Sequence, residues 1–174
     1  MTGGGQGAGP LLASAEVNVP LPALVLAGFA AVVLLLMLAR RHAEPAASAV
    51  LASWTMTPGV LNPDVTQANV QATICTHGWT RTIRPPVDYT NRLKREQMRA
   101  YGLGGDPSGY QEDHLVSLEL GGHSTDPRNL WPEPRPRAEE VDATENDLNR
   151  RICEGSISLE DAQRRISDLK HTKG

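Results

Sequence analysis

Between Glu16 and Arg40 the chain runs for 23 residues, Val17 to Ala39, without an ionisable side chain. As a helix rising about 1.5 Å per residue, such a run reaches roughly 34 Å, enough to cross a hydrocarbon core of about 30 Å. A domain this small can hardly enclose a helix that is apolar on every side. The run is therefore expected to be a single transmembrane helix. Met1 to Pro22 contains no Lys or Arg, which argues against a cleaved signal and for an uncleaved anchor. Arg40 and Arg41 follow the run directly and favour a cytoplasmic C-terminal domain. Cys75 and Cys153 pull the other way, because a disulfide between them implies an oxidising, extracytoplasmic compartment. Two buried thiols in a reducing compartment are the alternative, and the side of the membrane stays open.

Around that run the chain divides into four regions. Residues 1–16 are Gly- and Ala-rich and expected to be a disordered tail; 17–39 form the membrane helix; 40–57 read as a linker; and 58–174 form the folded domain. With 17 basic and 20 acidic residues the formal charge is −3, so no global positive field attracts nucleic acid and any such surface must be local.

Inside the domain, Asp64 followed by Gln67 reads as a capping box opening a helix, with Val65, Ala68, Ala72 and Cys75 on its inner face. A second helix is expected from Thr90 to just before Gly102, because Pro85 and Pro86 block its extension backwards. Gln111 to Leu120 alternates and ends in Gly121-Gly122, as a strand and turn do. Pro132, Pro134 and Pro136 predict irregular chain from Trp131 to Arg137. Two helices follow, from about Ala138 to Cys153 and from the N-cap Ser158 onward, the first burying Val141, Leu148 and Ile152. The expected class is α+β: a transmembrane helix, then a small domain with a short β element flanked by helices.

The chemistry-bearing segment is Glu112-Asp113-His114-Leu115, then Gly121-Gly122, then Asn129-Leu130-Trp131. Phosphodiester hydrolysis needs a base to activate the nucleophile and a cation to take up developing charge. A neutral imidazole near pH 7 suits the first task, and oxygen donors for Mg²⁺ or Mn²⁺ suit the second. In this order and spacing, over about residues 112–153, the segment resembles the HNH (ββα-metal) nuclease motif. The resemblance implies His114 as general base, Asp113 as first metal ligand and Asn129 as the residue that braces the loop. Where the third position of the motif is expected, this chain has Ala138. The candidates pass to Asp142, Glu145 and Asn146, which share a helix face. Ser117 stands where the family usually has Pro, and the zinc-binding cysteine pairs of many HNH proteins are absent.

Residues 81–99 carry six basic side chains against two acidic ones, with Arg92, Arg95 and Arg99 on one helical stripe and Lys94 beside it. Such a stripe can track phosphates without reading bases. Together these features point to a membrane-anchored, divalent-metal-dependent endonuclease of low sequence specificity. The rival is a module of the same fold that binds nucleic acid or an envelope partner without cleaving it.

Overall fold

The computed structural model describes residues 50–173. These form an α+β unit with helices α1 (Trp79–Ile83), α2 (Val87–Ala100), α3 (Arg135–Cys153) and α4 (Leu159–Thr172) around a two-stranded antiparallel sheet. Strand β1 (Tyr110–His114) pairs with β2 (Leu130–Pro134), placing Asp113 opposite Trp131 and His114 opposite Leu130.

The expected architecture needs correction at its N-terminal end. Among the described residues no helix is long and apolar enough to cross a membrane. The run 17–39 lies outside the described residues, so the fold that stands is the α+β unit with its small sheet.

The hairpin linking the strands is shaped by short 3₁₀ turns at Leu118–Leu120 and Pro127–Asn129. Asp126 caps the second turn by accepting from the Arg128 amide. Gly122 is dictated by crowding: a Cβ there would lie 1.7 Å from the Val116 carbonyl oxygen. Any side chain would push the two arms of the hairpin apart.

The prolines behave differently from the sequence expectation. Pro132 and Pro134 lie within β2, paired with Glu112 and Tyr110, and α3 begins at Arg135 with Pro136 in its first turn. Each strand of a two-stranded sheet is an edge, so alternate positions need no N–H for the ladder. The first helical turn needs none either.

The helix expected from Asp64 is also absent, and only a 3₁₀ turn forms at Val70–Ala72. Asn62 and Asn69 accept from the amides of Asp64 and Thr66, turning the chain locally in competition with a helix. Gln67 reaches across to accept from the amide of Leu159, and Ala68 and Ala72 are not part of the buried core. The strand expected through Leu120 stops at His114. Helix α2 starts three residues earlier than expected, directly after Pro86.

The main core joins Val65, Val70 and Ile74 to Val116, Leu120 and the inner faces of α3 and α4. Ser158 caps α4 by accepting from the Asp161 amide. Cys75 and Cys153 form a disulfide across 78 residues of sequence, tying the first turns to the end of α3. Closing a loop of that size stabilises the fold by roughly 4–5 kcal/mol in the chain-entropy description. Residues 50–57, part of the segment read as a linker, pack on the domain. Ala52 donates to the Lys170 carbonyl, and buried Thr57 bonds Tyr101.

Candidate active site

Strand β1 ends on the pair Asp113-His114, and neighbouring residues of a strand point to opposite faces. The two side chains consequently meet different partners. His114 is buried, and its Nε2 lies 3.0 Å from the Ser124 carbonyl oxygen. A carbonyl only accepts, so Nε2 carries the proton and Nδ1 keeps its lone pair. Burial pushes the imidazole pKa below its ordinary value, although the Ser124 bond and Asp113 oppose this. The ring is therefore neutral at pH 7, with its basic nitrogen available.

His114 lines a cleft of about 310 Å³ together with Asp113, Glu119, Asp142, Glu145 and Asn146, with Arg84 on its wall. The same ring borders a second hollow of about 200 Å³, shared with Arg84, Gln111 and Glu112. The structure thus brings His114, Asp113 and all three helix candidates to one cleft. Asp142 and Asn146 are exposed on α3, and Asn146 Nδ2 donates to the Asp142 carbonyl.

Asn129 is fully buried and does not line that cleft. Its Oδ1 accepts from the Val116 amide, while Nδ2 donates to the carbonyls of Val116 and His123. It staples the two arms of the hairpin beyond His114 and holds the following loop, which carries the Ser124 carbonyl. Asn129 thus holds the hairpin and loop in place and does not face the cleft.

On the other side of β1, a residue outside the predicted set dominates. Lys170 of α4 is 1% exposed, and its ammonium lies 2.5 Å from Asp113 Oδ2, 2.8 Å from Glu145 Oε1 and 3.5 Å from Glu133 Oε2. It also donates to the His114 carbonyl at 2.7 Å. Burial would push Asp113 up and Lys170 down. Their mutual attraction outweighs this, holding Asp113 well below and Lys170 well above their ordinary values. Burial then raises Glu133 to about 8 and Glu145 to about 7, because the charge of Asp113 adds to the cost of ionising either one. Near neutrality the Lys170 ammonium and the Asp113 carboxylate are the charges this cage holds most firmly. Glu112, half-buried with both oxygens enclosed and without a hydrogen bond, is likewise raised to about 8 by burial.

These partners decide how well the residues fit a divalent ion. Asp113 has one oxygen on Lys170 and the other accepting from Gln111 Nε2 at 3.0 Å. Glu145 pairs with the same lysine. Among the described residues no group of three His, Cys, Asp or Glu side chains is arranged to hold a metal ion. As they stand, the residues do not fit one.

The basic stripe is only partly as expected. Arg92, Arg95 and Arg99 lie on the outer side of α2, away from its buried residues. Lys94 instead turns inward, buried, and donates to the Tyr110 carbonyl at 3.0 Å. The physical reason is helical phase, since Lys94 lies between the buried Leu93 and Met98. Sequence reasoning missed Lys170, Glu133 and the Ser124 carbonyl. The first had a signal: Lys170 lies four residues after Ile166, on the stripe of α4 that also buries Leu159 and Ala162. A lysine at a core position of a helix implies carboxylates waiting for it. No family model matches this chain, and no curated protein or solved structure is found to resemble it.

Proposed function

We propose that this domain is an HNH-like phosphodiester hydrolase acting on nucleic acid, with His114 as the general base. The observation that supports it is the orientation of the imidazole. Its Nε2–H is tied to the Ser124 carbonyl, and the neutral ring borders an open cleft. That leaves Nδ1 to take a proton from the attacking hydroxyl or water. Arg84, exposed at the edge of the cleft, offers a guanidinium for a phosphate, and the Arg92, Arg95 and Arg99 stripe offers further backbone contacts. No step is routed through a metal, because the carboxylates that would hold one are paired with Lys170.

The test is cleavage of plasmid DNA and of single-stranded RNA by the purified full chain, beside His114→Ala. Loss of a proton acceptor costs typically 10²–10⁴-fold, and a drop of roughly that size is expected. Equal cleavage by the variant excludes His114 as the base.

The Lys170 pairing favours a second reading, a module of the same fold that binds nucleic acid without cutting it. Salt-sensitive binding of both nucleic acids, with no cleavage by either protein, selects it.

A further inference from the structure

The resemblance to HNH nucleases places a divalent ion beside the Asp113-His114 pair, and the cage around Lys170 disagrees with that. An ammonium has three donors. Here three oxygens meet it within 2.8 Å, from Asp113, His114 and Glu145, and Glu133 supplies a fourth at 3.5 Å. That is an all-oxygen shell drawn from β1, β2 and α3, the donor set a hard cation selects. The ammonium fills it, delivered from the last turns of α4. The lysine is anchored in place: its own carbonyl accepts from the Ala52 amide, and the adjacent His171 stacks on Trp54 with ring centroids 3.6 Å apart. Asp113 Oδ2 and Glu145 Oε1 already face the ammonium, so an ion seated among these oxygens would have to displace Nζ.

We infer that Lys170 is the resident cation of this site, and that the Asp113–Glu133–Glu145 cage takes a divalent ion only once the lysine is removed. The inference rests on the HNH-like reading of the hairpin for where an ion would belong, but its test reads binding and not cleavage.

The experiment is a Mn²⁺ titration of the full chain, following paramagnetic broadening of the His114 ring resonances together with thermal unfolding. The wild-type protein should show no saturable broadening at millimolar Mn²⁺ and the same Tm in Mn²⁺ as in EDTA. Lys170→Ala should unfold at lower temperature in EDTA and recover by roughly 5 °C in saturating Mn²⁺. Adding Glu145→Gln should abolish that recovery. If Lys170→Ala does not fold, Lys170→Gln, which keeps a neutral donor in the cage, replaces it in the same comparison. Saturable broadening in the wild type overturns the inference, as does a folded Lys170 variant indifferent to Mn²⁺. Absence of cleavage activity bears on the hydrolase proposal alone and leaves both readouts intact.

Discussion

The two side chains that end β1 belong to regions built on opposite principles. The His114 side is an open cleft in which a neutral ring has one nitrogen tied and the other available. Asp113 borders the same cleft, but its charge is matched inside the protein and both carboxylate oxygens are engaged. An available lone pair contributes little to stability and much to reactivity. A buried ion pair is the reverse: its removal leaves an uncompensated charge, and its presence leaves nothing free to react. One residue of sequence separates the two because a strand reverses side-chain direction at each step.

The sharpest way to break this contrast is to exchange the roles by mutation. Lys170→Met should cost about 3–5 kcal/mol of unfolding free energy, since Asp113 would remain buried without its partner. Urea denaturation with an unchanged midpoint would show the cage to be incidental. His114→Ala should cost only about 1 kcal/mol by the same measurement, the worth of one hydrogen bond, while removing the proposed cleavage.

Asn129→Ala lies between the two regions. It removes three hydrogen bonds from a buried hairpin and should destabilise by roughly 2–3 kcal/mol. If Asn129 positions the loop, cleavage falls and the acid limb of the pH–rate profile moves lower, because the Ser124 bond that raises the imidazole pKa is weakened. In the wild type that limb should lie below pH 6.5, because burial lowers the imidazole pKa.

Stability should also report the Asp113 side through pH. Glu112, Glu133 and Glu145 keep protons in the folded state to about 8, 8 and 7, whereas the unfolded chain releases them at ordinary carboxylate values. The native state therefore binds more protons across this window, and stability falls as pH rises through it. A Tm lower by roughly 5 °C at about pH 8 than at about pH 5.5 is expected from calorimetry. A Tm that rises over that interval would mean these carboxyls are already ionised in the fold.

The smallest effect should come from the surface. Replacing Arg92, Arg95 and Arg99 together should weaken nucleic-acid binding severalfold. The salt dependence should flatten by about 0.7–0.9 in slope for each phosphate that is no longer neutralised. Lys94→Ala should leave that slope alone, because its ammonium faces the Tyr110 carbonyl.

Much of the frame was legible in residues 87–172. Helices α3 and α4 follow from apolar periodicity, with Val141, Leu148 and Ile152 buried on one and Leu159, Ala162 and Ile166 on the other. Gly121-Gly122 marked the tight hairpin, and Ser158 marked a helix start. The turns at residues 62–76 were not legible, because their geometry depends on side-chain bonds such as Gln67 to Leu159, across 92 residues. Prolines were read as breakers, and only the two-stranded sheet, in which every strand is an edge, turned them into strand residues.

By itself the sequence determined where the polar groups fall, an imidazole beside a carboxylate ahead of a Gly-Gly turn and oxygen donors along one helix face, and it placed two cysteines in the chain. Local pattern suffices for that, since strand and helix periods dictate which neighbours share a face. Tertiary packing alone decided that the cysteines meet and that Asp113 and Glu145 belong to Lys170. Lys170 lies 57 residues from Asp113, and an ion pair depends on where folding brings charges together, which no local period encodes.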